Sequence, residues 1–329
     1  MPEFRQNFAT KEWVIIAPER KKRPQHFPHC EEPPCESVSY RPDCPFCPGK
    51  ETETGRETLR YEEDGAWTLR VVQNKYSALD PTRSVVRRKK GIFLCSDNYG
   101  DAEVVIESPL HNETIPTLDH ARVVDIFRAY RQRSIVIGMM PHISIIMIFR
   151  NFGPTAGTSI EHPHSQIIAS PIIPPHIRDP FQKAALHYDS HGTCVYCDLL
   201  EEERGQNERI VYENEHFVVF CPFASRSPYE IRIYPKRHTA SYSLILDDEI
   251  DAFAEAVRLV LRKVRDLLGD PSYNYIIRSS PIGDEDVRYL HWYFVLIPKI
   301  TTPAGFEIGS GIYINPSSPE ECAAQLREA

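Results

Sequence analysis

The chain reads as an α+β protein of two related domains, each with antiparallel strands and a covering helix, a diverged pseudo-repeat. Three observations carry this reading. Two Cys-x-x-Cys pairs, CPFC at 44–47 and CVYC at 194–197, each begin one half. Each pair is followed by an apolar strand-like segment, a lone histidine, an amphipathic helical stretch and a second histidine leading into another apolar strand. The spacing of those histidines matches: 51 positions separate His111 from His162, and 53 separate His238 from His291. Self-similarity over so long a period marks a structural unit used twice.

Taken in chain order, the strand-like segments are WTLRVVQNKYSAL (67–79) and HFVVFCPFAS (216–225). The lone histidines are His111 in VVIESPLHNET and His238 in IRIYPKRHTAS. In 247–270 Ile250, Phe253, Val257, Val260, Leu261, Val264 and Leu268 recur at helical spacing, and Gly269 can close the helix. Its first-half equivalent is 118–138. Each half then ends on a histidine entering apolar residues, EHPHSQIIAS and LHWYFVLIP. Proline totals 28 of 329 residues, above the usual ~5%. Much of it lies near the N-terminus and in SPIIPPHIRDP (170–180), which reads as a rigid, irregular linker. The expected domains are therefore 1–172, catalytic, and 173–329, structural.

Composition narrows the function classes. At 41% hydrophobic and 26% charged residues, the balance is that of an ordinary globular protein. No apolar run approaches the ~20 residues that span a bilayer, so no membrane partner is expected. The start, MPEFRQNFATKEW, has no basic segment followed by an apolar one, and a cytoplasmic location is expected. A net charge of -8 argues against a large nucleic-acid surface. Nine cysteines, an odd number, disfavour a disulfide framework in a reducing compartment.

Metal accounts for the cysteine pairs better. Each half supplies two cysteines and two histidines in the same order, a donor set suited to closed, tetrahedral zinc. The first site would be Cys44, Cys47, His111 and His162 or His164. The second would be Cys194, Cys197, His238 and His291, holding zinc or iron. Neither pair opens a helix in an evident βαβ unit, which sets redox chemistry aside. The competing account is buried free thiols, since cysteine is often buried without a ligand. His26, His29, His120, His142, His176, His187, His191 and His216 lack a partner pattern, and Cys30 and Cys35 are assigned no metal.

The stretch HPHSQIIAS carries the chemistry. A strand there puts His162, His164, Gln166 and Ile168 on one face. One imidazole can bind metal while the other, one ring nitrogen held by a backbone carbonyl, keeps a nucleophilic nitrogen. A histidine nucleophile splits one difficult substitution into two easier ones. Upstream, GPTAGTS offers a turn-forming backbone around Gly157 whose N–H groups can hold phosphate oxygens, and Gln166 is an uncharged donor beside a transferring group. The second half reads His291-Trp292-Tyr293 at the matching place. There the ligand-like histidine persists and the second is replaced by tyrosine. By that analogy His162 goes to metal and His164 is the nucleophile.

These residues resemble the galactose-1-phosphate uridylyltransferase family, within the histidine-triad superfamily, over nearly the whole chain. The likeness lies in EWVIIAPERKKRP (12–24), CPFCPG (44–49), VVQNKYSAL (71–79), ESPLH (107–111), NFGPTAGTSIEHPHSQ (151–166) and FEIGSGIYINP (306–316). It implies two histidine-triad-like domains, a homodimer and ping-pong nucleotidyl transfer. His164 would attack the α-phosphorus of UDP-glucose, releasing glucose 1-phosphate, and galactose 1-phosphate would take the uridylyl group. Cys44, Cys47, His111 and His162 fall where the family has zinc ligands. Gln166 and Ser159 match phosphate-contacting positions, Asn151 the same segment, Arg20 and Arg23 a basic pair, and Asn74 a nucleotide-contacting asparagine.

Three features depart from that pattern. Ser165 stands where glycine follows the second histidine, Lys75 where an acidic residue suits ribose hydroxyls, and GFEIGSGIYINPSSPEE replaces the hexose-contacting segment. With HSQ and the second cysteine pair, that segment resembles the ADP-glucose phosphorylase branch, in which the same histidine carries AMP and phosphate is the acceptor. A third reading, from another class, is a non-catalytic zinc protein that binds nucleotides or RNA.

Overall fold

The computed structural model describes residues 1–22 and 38–329. The N-terminal half holds strands β1 (Glu3–Gln6), β2 (Trp13–Ile16), β3 (Glu57–Glu63), β4 (Ala66–Gln73), β5 (Arg87–Lys90), β6 (Phe93–Ser96) and β7 (Asp101–Ile106). Helix α1 (His120–Gly138) and strands β8 (Ile145–Phe152) and β9 (His164–Ser170) follow. Two helices, α2 (Pro175–His191) and α3 (Val195–Gln206), lead into β10 (Ile210–Glu213), β11 (Phe217–Phe220) and β12 (Ile231–Pro235). The chain ends with α4 (Asp247–Leu268), β13 (Tyr273–Arg278), β14 (Tyr293–Pro298), α5 (Gly305–Ser310), β15 (Tyr313–Asn315) and α6 (Pro319–Glu328).

Ten strands form one sheet in the order β10-β11-β12-β14-β13-β8-β9-β7-β4-β3. Read outward from the centre, the two halves run β8-β9-β7-β4-β3 and β13-β14-β12-β11-β10, the same order twice. They meet where β8 pairs antiparallel with β13, Ile148 opposite Ile277 and Asn151 opposite Asn274. Helices α1 and α4 cover one face. The apolar stripe of α4 is buried there, with Ile250, Phe253, Val257, Val260, Leu261 and Val264 all at 1% exposure or less. The same core takes Val123, Ile126, Phe127 and Tyr130 of α1. Gly269 closes α4 in a left-handed conformation, its N–H donating to the Arg265 carbonyl. The other face of the sheet carries His164 and Gln166; the cysteine loop with Phe46 packs on it in the first half and α3 in the second.

Two elements differ from the sequence reading. The proline-rich stretch 170–180 is not wholly irregular, because α2 begins at Pro175. A proline at the first helical position lacks only an N–H that would go unused, and its fixed φ suits the helix. Cys194 and Cys197 do open a helix, α3, Cys194 at its cap and Cys197 in its first turn. That helix is preceded by α2 rather than by a parallel strand, so no βαβ redox unit arises. A further three-stranded sheet, β1-β2-β15, packs the N-terminus beside the C-terminal segment.

Candidate active site and metal centres

The CPFC segment is a run of tight turns. Cys44 N donates to Arg41 O at 3.2 Å, Cys47 N to Cys44 O at 3.3 Å, and Lys50 N to Cys47 O at 3.2 Å. Backbone N–H groups also point at the sulfurs, Phe46 N at Cys44 Sγ and Arg41 N at Cys47 Sγ, each 3.4 Å. His111 arrives from the exit of β7 and His162 from the approach to β9. The four ligand atoms face one another. Cys47 Sγ lies 3.5 Å from His111 Nδ1 and 3.6 Å from His162 Nδ1, Cys44 Sγ lies 3.7 Å from His162 Nδ1, and the two Nδ1 atoms are 3.3 Å apart. Zinc with bonds of about 2.3 Å to sulfur and about 2.05 Å to nitrogen sets tetrahedral ligands about 3.3–3.8 Å apart. The donor set and its spacing therefore fit a tetrahedral metal.

Two further features support that fit. His162 Nε2 lies 2.8 Å from the Ser108 carbonyl, which fixes the tautomer and turns Nδ1 to the cluster. Burial pushes the Cys44 thiol up to about 11 and the His162 imidazole down to about 4. Without a cation the pocket favours neutral groups, and a divalent ion supplies the charge that thiolates need.

The second cluster is looser. Cys194, Cys197 and His238 bring their ligand atoms within 4.8 Å of one another, and His291 is not in that group. His291 Nδ1 lies 3.8 Å from Cys197 Sγ, against 3.2 Å for His238 Nδ1. Its Nε2 lies 3.2 Å from the Arg237 carbonyl, echoing His162. A hydrogen bond from Cys197 holds the Cys194 thiol down at about 5, while hydrogen bonding to Cys194 raises His238. Cys197 and His238 are reached by solvent, whereas all four groups of the first cluster are buried.

His164 opens β9. Its Nδ1 donates to the His162 carbonyl at 2.8 Å, and Nε2 has no hydrogen-bond partner among the described residues. Only 8% of the residue is exposed, and burial lowers its pKa, which keeps the ring neutral. Phe46 of the cysteine loop sits edge-on, its ring 5.4 Å from that of His164. His162 precedes the strand, so the two histidines diverge, one toward the cysteines and one onto the open sheet face.

Ser165 points the other way. It is 1% exposed, and its Oγ accepts from Tyr130 of α1 at 2.5 Å; Tyr130 is also bonded to Tyr275 at 2.6 Å. The residue beside His164 therefore faces the core. Lys75 likewise turns aside, its Nζ donating to the Glu53 carbonyl at 3.2 Å.

The remaining expected residues are spread over three loops and strands β8 and β9. Ser159 and Gly157 are exposed in the turn after β8, where Gly157 has φ +86°. At Gly153, φ is +81°, and an added Cβ would lie 2.1 Å from the Ser272 hydroxyl, so only glycine fits. Gln166 shares the face of His164 and pairs across to Phe149. Asn74 follows β4 and organises its own turn, Oδ1 accepting from Tyr76 N at 3.0 Å. Arg20 is exposed on a turn after β2, and its charge acts on Glu307 of α5. Arg23 lies outside the described residues.

Sequence reasoning missed two supports. Asn274 of β13 donates to Asn151 Oδ1 at 2.8 Å and to Ala156 O at 3.0 Å, tying the glycine turn to the second half. Glu107 and Arg150 form a fully buried ion pair under the sheet. The signal for the latter was present: a single charge inside each of the apolar runs VVIES and IIMIFRNF must be paired once buried.

Comparison with known proteins places the family. The family profile described as "Galactose-1-phosphate uridyl transferase, N-terminal domain" matches residues 1–174, and a domain of unknown function (DUF4921) matches 119–329. An ADP-glucose phosphorylase of Arabidopsis thaliana is 35% identical, over 99% of this chain and 93% of that protein. A galactose-1-phosphate uridylyltransferase of Thermotoga maritima is 32% identical, over 100% and 98%. Among solved structures, the Arabidopsis ADP-glucose phosphorylase with bound ADP-glucose has a TM-score of 0.85 at 33% identity, covering 100% of this chain and 99% of that one. A uridylyltransferase structure has 0.77 at 25%, covering 100% and 98%. The chain belongs to the galactose-1-phosphate uridylyltransferase family of nucleotidyltransferases.

Proposed function

We propose that the chain transfers a nucleotidyl group from a nucleoside diphosphate hexose through a covalent intermediate on His164. The observation that carries this is the 2.8 Å bond from His164 Nδ1 to the His162 carbonyl, which aims an unprotonated Nε2 at the open sheet face. Nε2 attacks the α-phosphorus, the bond to the bridging oxygen breaks, and hexose 1-phosphate leaves with its electrons. An acceptor phosphate oxygen then attacks the same phosphorus and the histidine departs. Gln166 and the backbone around Gly157 and Ser159 hold phosphate oxygens, with Asn151 and Asn274 fixing that turn. Asn74 and the cations Arg20 and Arg23 serve the nucleotide. A zinc ion on Cys44, Cys47, His111 and His162 supplies a rigid charged cross-link that fixes the His162 carbonyl; the second cluster takes zinc or iron in a structural role.

In this reading residues 1–172 carry the reaction and 173–329 support it, in a cytoplasmic homodimer. For the donor, the phosphorylase likeness favours ADP-glucose with phosphate as acceptor: 35% identity over 99% of the chain, and a TM-score of 0.85 for the form with ADP-glucose bound. Exchange between UDP-glucose and galactose 1-phosphate is the second reading, supported by the family profile and the Thermotoga relative.

The test is intact mass after incubation with ADP-glucose or UDP-glucose alone. One nucleotidyl group per chain is expected from the true donor, and none in His164→Ala. No adduct from either donor, or an undiminished adduct in the variant, would overturn the mechanism. Turnover with phosphate against galactose 1-phosphate then assigns the acceptor.

A further inference from the structure

The second half holds a cavity on the sheet face that carries His164 in the first. Tyr293 opens β14 as His164 opens β9, and Arg278 lies opposite Tyr293 in the ladder. Extending the β8–β9 register by two residues puts Asn151 opposite His164. Arg278 is thus the second-half counterpart of Asn151, a cation where the catalytic half has an amide. Beside it lies a cavity of about 360 Å³, lined among others by Met147, Phe181, Arg278, Ser280, Tyr293 and Tyr313.

Of the three arginines that line this cavity, one is left without a carboxylate among the described residues. Arg226 is paired with Glu12, and the buried Arg232 with Glu230 at 3.1 Å. Arg278 makes no side-chain hydrogen bond or ion pair among the described residues, although it lines the same space. Ser280 is 5% exposed, and its hydroxyl has no partner. A buried hydroxyl without a partner is costly unless something supplies one. A guanidinium fork with an adjacent hydroxyl matches the oxygens of a phosphate. Tyr293, under the Arg232 guanidinium at 5.7 Å, and Phe181 give aromatic walls. The volume lies at the small end of the ~300–1,000 Å³ usual for ligand pockets, and it exceeds what bare phosphate fills.

We propose that this second-half cavity binds a phosphate monoester, of a sugar or a nucleoside, and does not transfer it. The choice of a phosphate ester rests on the nucleotide-sugar reading above; the cavity, the free guanidinium and the orphan hydroxyl do not. Arg278 and Ser280 hold the phosphate, and Tyr293 stands where the first half has His164, the histidine proposed to take the nucleotidyl group.

The test is equilibrium dialysis of the full chain with glucose 1-phosphate, AMP or inorganic phosphate. Two equivalents of one ester per chain are expected in the wild type and one in Arg278→Gln. Ser280→Ala should weaken the second equivalent about tenfold, and both variants should keep wild-type circular dichroism and nucleotidylation of His164. The same number of equivalents in the wild type and in Arg278→Gln, or no weakening in Ser280→Ala, overturns the proposal. So does inorganic phosphate binding as tightly as both esters. Which ester binds separates a sugar phosphate from a nucleotide. Failure of His164 to take label would leave the equivalent lost in Arg278→Gln standing, so the two readings fail separately.

Discussion

At the scale of single residues, strand alternation divides the work of neighbours. His164 and Gln166 face the site, and Ser165 between them faces the core, hydrogen-bonded to Tyr130. Ser165 adjoins His164, the proposed nucleophile, so its place in the sequence suggests a determinant of the donor. Its direction says otherwise. Ser165→Gly is expected to cost about 1–2 kcal/mol, because Tyr130 loses a buried partner and the strand gains a flexible residue. The ratio of ADP-glucose to UDP-glucose labelling should stay within about twofold of wild type, well under the tenfold of 1.4 kcal/mol. A donor switch in that variant would return Ser165 to the site. Legibility follows the same line. Cys44, Cys47, His111, His162 and His164 could be read because their chemistry shows in residue type and spacing. Asn274 could not be, because an amide earns its role only from a strand that sits beside Asn151 after folding.

At the scale of elements, α4 was readable from its apolar spacing and its closing glycine, since both signals are local. Helix α2 was hidden by its prolines, which are tolerated at Pro175 for want of a needed N–H and carried at Pro180 inside the helix. Helix α6 buries Cys322, Ala323 and Leu326 in the core, and one carboxylate ties down its first turn. Glu320 accepts from Arg5 at 2.7 Å, from Arg209 at 3.0 Å and from Ser318 at 2.6 Å. Burial works against its charge, but the hydrogen bonds from Arg5 and Ser318, with the Arg5 charge, together bring it down to about 2. A depressed carboxylate stabilises the fold above its unfolded pKa, and that contribution is lost as pH falls from there through about 2. Allowing for solvent screening, Glu320→Gln should lower unfolding free energy at pH 7 by about 1–2 kcal/mol. The difference from wild type should shrink as the pH is taken below 4. Equal urea midpoints for both proteins at pH 7 would show that the cluster contributes nothing.

At the scale of the whole molecule, two similar halves share one sheet. The β8–β13 ladder and the α1–α4 contact make the junction part of a continuous core running from Leu69 and Val105 to Phe294 and Leu296. Halves that share a core should unfold together. A single calorimetric transition is expected, with van't Hoff and calorimetric enthalpies agreeing; two resolved transitions would mean that the halves are stable apart. The sequence by itself determined the repeat and the covering helices, and it singled out the cysteines and histidines that cluster around Cys44 and the proposed nucleophile His164, because each is written in local period or in residue types that few other roles require. Only the tertiary structure decided which way Ser165 points, how close each cluster is drawn, and that the halves join edge to edge at β8 and β13. Those outcomes depend on which surfaces meet across long sequence separations. Strand pairing and burial settle that choice after the local signals have been spent.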